Sequence, residues 1–156
     1  MIFVKKSFLM LSVVCVLSAI FLFAAGPSAF AEGIVAIVNA GNDVSEISLS
    51  DLKKIYLMKK KTWPNGRDIM VWLPPSGGEE MTALLADVLK IPDEVDLKKY
   101  YLTAIFQQTI AIIPGSVSGG PEAARKVAGH EGGLAIVKES EILGSPGIKI
   151  VRIAGL

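Results

Sequence analysis

Thiols, imidazoles and charge of one sign are all scarce in this chain of 156 residues, which has one cysteine, one histidine and 16 basic against 15 acidic residues. Cys15 lies inside an apolar N-terminal run, so the remainder of the chain has neither a disulfide framework nor a cysteine-based metal site. His130 stands in "GHEGG" without the second histidine that a helical zinc motif requires, and reads as a surface residue in a turn. Neither a GxSxG elbow nor a GxxxxGK[ST] loop occurs. No pair of nucleophile and base can be named, so the expectation is a chain that is not an enzyme and holds no metal or cofactor. Near neutrality removes the basic footprint of a nucleic-acid binder. Internal repeats and low-complexity segments are absent too, which excludes solenoids and arrays.

What is present begins with Lys5 and Lys6, followed by "FLMLSVVCVLSAIFLFAAG" and the small-residue site Ala29-Phe30-Ala31. This predicts a signal peptide over 1–31, cleaved before Glu32, and a periplasmic or secreted product; a retained membrane anchor is the competing reading. A lipoprotein site at Cys15 is disfavoured because Val14 stands where such a site needs Gly or Ala. Residues 32–156 then form one domain, 125 residues long, large enough for a core without staples. With Lys5 and Lys6 removed, 14 basic residues face 15 acids.

"IVAIVN" (Ile34 to Asn39) is a β-branched run suited to a strand buried on both faces. In "ISLSDLKKIYLM", Leu49, Leu52, Ile55 and Tyr56 share a helical face, with Ser48 as N-cap and Asp51 as capping-box partner. After the "KKKTWPNG" corner, "DIMVWL" predicts a strand and "GEEMTALLADVLK" a helix carrying Met81, Leu84, Leu85, Val88 and Leu89 on one side. "DEVDLKKYYLTAIFQQ" predicts a further amphipathic helix with Val95, Leu97, Tyr101 and Ile105 on one side, and "PEAARKVAG" a two-turn helix opened by Pro121 and closed by Gly129. "GLAIV" and "IKIVRI" complete the order as two strands. That order predicts an α/β fold, a mixed sheet flanked by helices, with ligands meeting loops beyond the strand ends.

Two loops could carry ligand chemistry. In "LPPSGGEEM", Ser76, Gly77 and Gly78 join a strand to a helix and offer a hydroxyl and free N–H groups to an anion. The plain alternative is Ser76 as an N-cap, and Glu79 and Glu80 in the first turn would repel a second negative charge. In "IIPGSVSGGPEAARK", Ser118, Gly119 and Gly120, with Ser116 before them, precede another helix start, or else form a linker. Arg67 and Arg125 are the cations that could complete an anion shell, and spacing alone does not bring the loops together. The acid pairs Glu79-Glu80 and Glu139-Glu141 read as solvated edges.

The stretch "ISLSDLKKIYLMKKKTWPNGRDIMVWLPPSG" resembles the phosphate-type periplasmic substrate-binding proteins of ATP-binding cassette transporters and their short single-domain relatives. In that family a capped helix ending in an aromatic, a Trp-Pro-Asn-Gly corner, a strand and a Ser/Gly helix start follow in this order. "VAGHEGGLAIVKES" is similar to its later glycine turn and strand, with Gly132 and Gly133 in the turn, so the resemblance covers most of residues 34–156. It implies a single-lobe periplasmic-binding-protein-like domain of type II that holds a small phosphate-like oxyanion through Ser76, Gly77, Gly78, Ser118, Gly119 and Gly120. A membrane transporter or sensor component is the implied protein partner. The competing implication is an envelope interaction module that keeps the fold without the ligand. Full-length family members close two lobes over the anion and often read Ser-Gly-Thr after an arginine; here one lobe reads Ser76-Gly77-Gly78 after Leu73-Pro74-Pro75. "LAIV" also lacks the tyrosine of the family's strand. Within the corner, Pro64 presets a turn, and Trp63 is expected to pin it by burial, with direct ligand contact as the alternative.

Overall fold

The computed structural model describes residues 33–155, so the signal-peptide reading of 1–31 lies outside the described residues. Strand β1 (Ile34–Asn39) sits inside a six-stranded sheet, flanked by the last two strands, β5 (Gly133–Lys138) and β6 (Ile148–Ala154). Beyond β6 lies the short edge strand β2 (Glu46–Ser48), and beyond β5 lie β3 (Met70–Leu73) and the two-residue edge strand β4 (Gly115–Ser116). β1 pairs antiparallel with both neighbours, while β5, β3 and β4 run parallel to one another, as do β2 and β6. The sheet is therefore mixed, as the alternation of elements predicts.

Helices cover both faces. On one, α1 (Leu49–Tyr56) and α2 (Glu79–Ala83, continuing as a π-helical turn over Leu84–Leu89) pack on Ala36, Val38, Val71, Leu134 and Ile136, and α3 (Glu94–Phe106) adds Leu97, Tyr101 and Ala104 to the same core. On the other, α4 (Gly120–Ala128) and the single-turn α5 (Glu139–Ile142) cover Ile37, Trp72, Ala135 and Val137. Alternate residues of β1 and β5 thus enter opposite cores, which is why both read as continuous apolar runs.

The Trp63 corner is held from inside. Gly66 N–H donates to Trp63 O at 2.9 Å, closing a turn through Pro64 and Asn65. Buried Trp63 donates its indole N–H to Gly132 O at 3.0 Å, and Met70 N–H donates to the same oxygen at 3.0 Å. One carbonyl therefore joins the corner to the later glycine turn. A Cβ on Gly132 would stand 1.8 Å from Asp68 O, so only glycine permits this approach. On the same face Tyr101 Oη donates to Tyr56 O at 2.6 Å and Tyr56 Oη to Trp72 O at 3.3 Å, tying α3 to α1 and α1 to β3. Burial pushes both phenols above their ordinary range.

Several expectations need correction. Ser48 caps α1, accepting from Asp51 N–H at 3.0 Å, but Asp51 turns to Lys60 at 2.9 Å and does not close the box. α3 buries Leu97, Tyr101 and Ala104, whereas Val95 and Ile105, expected on the same side, are exposed because the helix is apolar on both flanks. Pro121 occupies the second position of α4, after Gly120. Strands β2 and β4 and helix α5 are too short to show a period.

Candidate functional site

β3 and β4 are adjacent and parallel, with Leu73 opposite Ser116, and Val117 N–H donates to Leu73 O at 3.0 Å. The two Ser/Gly loops consequently leave the same end of the sheet from neighbouring strands, about 4.8 Å apart at that level. The first leads into α2 on one face and the second into α4 on the other. Adjacent parallel strands whose helices part to opposite faces open a crevice at their carboxyl ends, the usual place for a ligand in such sheets. β5, the next parallel strand, ends at Lys138 beside this edge.

Both loops already hold carboxylates. Ser76 Oγ donates to Glu94 Oε2 at 2.5 Å and Gly77 N–H to Glu94 Oε1 at 2.7 Å, Gly77 standing at φ 71°. Ser118 N–H and Oγ both donate to Glu122 Oε2 at 2.7 Å. Gly120 N–H donates to Glu141 Oε2 at 2.7 Å, and a Cβ on Gly120 would stand 2.6 Å from Glu141 Cβ. The donors of each loop therefore recognise an oxyanion of the protein's own. The hydroxyl and N–H of Ser118, together with Lys126 at 3.2 Å, hold the Glu122 carboxyl down at about 2.

Other charges at this edge are also paired. Lys138 Nζ lies 3.2 Å from Glu79 Oε2, and that bond holds the ammonium above its ordinary range. Both residues line an open cavity of about 460 Å³ with Gly33, Glu139 and Leu143. Glu80 is buried, and Glu141 caps Gly120, so the acid pairs are not merely solvated edges. The N-cap of α2 is Gly78, not Ser76, whose hydroxyl is turned to Glu94. Gly119 is the N-cap of α4.

Neither Arg67 nor Arg125 bonds to either loop among the described residues. Arg67 lies before β3, at the opposite end of the sheet, 3.3 Å from Glu131 Oε2 and with Nη1 donating to Gly41 O at 3.3 Å, so it does not reach either loop. Arg125 is exposed on α4 and forms no ion pair among the described residues. His130 is exposed, its ring set edge-on to Trp72 at 5.3 Å between centroids.

Sequence reasoning missed Glu94, Glu122 and Glu141. Glu122 carries a readable signal: it stands at the third position of α4, where a capping-box acid reaches back to the N-cap, and here it reaches one residue further, to Ser118. Glu94 and Glu141 act across 17 and 21 residues and have no local signature.

No family model and no curated protein matches the sequence. Solved structures do. A structure with bound phosphate from Clostridium perfringens, described as that of a phosphate ABC transporter substrate-binding protein, aligns with a TM-score of 0.59 and 20% identity over 80% of this chain and 46% of that one. An ABC-type phosphate transport receptor from Vibrio cholerae aligns at 0.58 and 11% identity, over 80% of this chain and 47% of the receptor. PstS from Borrelia burgdorferi aligns at 0.60 and 13%, over 79% and 47%. The chain thus has the fold of phosphate-type substrate-binding proteins and spans about half the length of the solved structures it matches.

Proposed function

We propose that this chain is an exported, single-lobe solute-binding domain that takes a small phosphate-like oxyanion between its two Ser/Gly loops and works with an ABC-type phosphate transport system. One observation carries the reading: two such loops, on adjacent parallel strands, each hold a carboxylate oxyanion through a serine hydroxyl and a backbone N–H. The donor set of Ser76, Gly77 and Ser118 suits phosphate by the same chemistry, with Gly78, Gly119 and Gly120 allowing backbone to approach. The fold shared with proteins named for phosphate transport supports that ligand class. Glu94 and Glu122 have to leave before a phosphate enters, since like charges at this range repel. Affinity is therefore the difference between two oxyanions competing for one set of donors.

That competition also supports a second reading, an envelope interaction module in which the internal carboxylates have replaced the ligand for good and the lobe docks on a transporter or sensor component. Isothermal titration with phosphate, then sulfate, in a buffer free of both separates the two, with the oligomeric state measured on the same sample. Saturable heat with phosphate supports oxyanion binding. Silence up to millimolar phosphate refutes it and leaves the module.

A further inference from the structure

Away from the Ser/Gly loops, an open groove of about 600 Å³ runs between the exit of α1 and the last turns of α3. Its floor is Leu57, Ala104 and Ile110, its rim carries Lys59 and Lys61, and none of its ten lining residues is acidic. Lys59 and Lys61 form no ion pair among the described residues. The same turn of α3 that lends Thr103 and Gln107 to the groove projects Phe106, 90% exposed, and the stripe continues through exposed Leu102 and Val95. A helix apolar on both flanks is ordinarily covered on both. α3 is covered on one.

We propose that this groove and the adjoining stripe dock an acidic amphipathic helix of a partner protein. Its apolar positions would cover Phe106 and Leu102, and its carboxylates would meet Lys59 and Lys61. Charge complementarity selects this occupant: the rim is basic and unopposed, and an apolar-floored groove is what the apolar face of an amphipathic helix fills, with Phe106 and Leu102 extending the surface it would cover. A planar bilayer does not enter a concavity. The chain's own N-terminal run carries Lys5 and Lys6 and no acidic residue through Ala31, so the lysines repel it. The groove shares no residue with the Ser/Gly loops, and the inference stands whether or not those loops bind an oxyanion.

The test is fluorescence anisotropy of a labelled helical peptide with leucines at i, i+3, i+4 and i+7 and glutamates elsewhere, titrated with the purified protein. Saturable binding is expected, weakened about tenfold in K59E/K61E because the rim charges are exposed. Thr103→Trp, at an exposed position, fills the groove without altering charge and is expected to abolish binding. Circular dichroism checks that each variant folds. Four results would overturn the proposal: no binding of the acidic peptide, equal binding of its lysine-for-glutamate counterpart, wild-type binding by Thr103→Trp, or self-association lost in Thr103→Trp, which would make a second copy the occupant. Lysine-dependent sedimentation with phosphatidylglycerol vesicles, unaffected by Thr103→Trp, would instead assign the face to a membrane.

Discussion

Replacing Glu94 by Gln asks whether the first Ser/Gly loop is blocked by the chain's own carboxylate. The side chain accepts from Ser76 Oγ at 2.5 Å and Gly77 N–H at 2.7 Å, and both bonds are exposed. A hydrogen bond to an ionised group contributes about 1.5–3 kcal/mol when shielded, and exposure reduces this to about 1 kcal/mol each. Glutamine keeps the size and one acceptor oxygen but loses the charge and the second acceptor, so about 1 kcal/mol of competition disappears, which corresponds to roughly fivefold tighter phosphate binding. The cost to the fold is small: Asp93 still caps α3, accepting from Asp96 N–H at 2.8 Å, and losing one first-turn acid costs about 0.3–1 kcal/mol. Calorimetry of wild type and Glu94→Gln with phosphate, with a thermal melt of each, reads both quantities. Phosphate affinity unchanged or weakened in a variant that melts normally would refute the competition argument and remove Ser76 and Gly77 from any anion site.

Gly132→Ala forces a Cβ onto Asp68 O and breaks the carbonyl shared by Trp63 and Met70; a loss of about 3 kcal/mol or more is expected, seen as a melting temperature lowered by at least about 10 °C or failure to fold. Trp63→Phe keeps an aromatic but drops the indole N–H and part of the ring, and should cost about 1–3 kcal/mol in urea unfolding, less than Gly132→Ala, because Met70 still satisfies the carbonyl. The Glu122 carboxyl, held at about 2 in the fold against 4.5 ordinarily, stabilises the folded state above about pH 4.5, and that contribution is lost as the pH falls through about 2. Acid titration followed by carboxyl NMR should place Glu122 well below the ordinary 4.5 in wild type and return it toward 4.5 in Ser118→Ala.

Reading the chain without coordinates recovers what has a period or a local partner. β1 is legible to the residue because its β-branched run is buried on both faces, and α1 because Ser48 caps it. The mixed α/β layout follows from the order of elements. Edge strands β2 and β4 are illegible, since two or three residues have no alternation and exist only through their pairing with β6 and β3. α3 misleads because its apolar residues lie on both flanks, and the sequence does not say which flank the core claims. The Ser/Gly loops are visible as glycine-rich helix starts, and their adjacency follows from one parallel pairing that spacing does not reveal. Of the carboxylates that fill them, Glu122 lies four residues from Ser118 and is legible as a capping-box acid, whereas Glu94 and Glu141 are long-range partners, invisible until the chain is folded.

The placement of β1 between β5 and β6 has a kinetic consequence. Ala36 faces Ile136 and Ile37 faces Ile150, separations of 136 − 36 = 100 and 150 − 37 = 113 residues, so the first strand to emerge from a ribosome or a translocation pore waits for the last two. Such non-local pairing is slow, because loop-closure entropy must be met before any ladder forms. A chain interrupted anywhere before Gly133 has helices but no centre to its sheet, and it presents the apolar β1 run to proteases, chaperones or a secretion machine. Under the export proposed above, delayed folding of this kind suits a polypeptide that has to be threaded while extended.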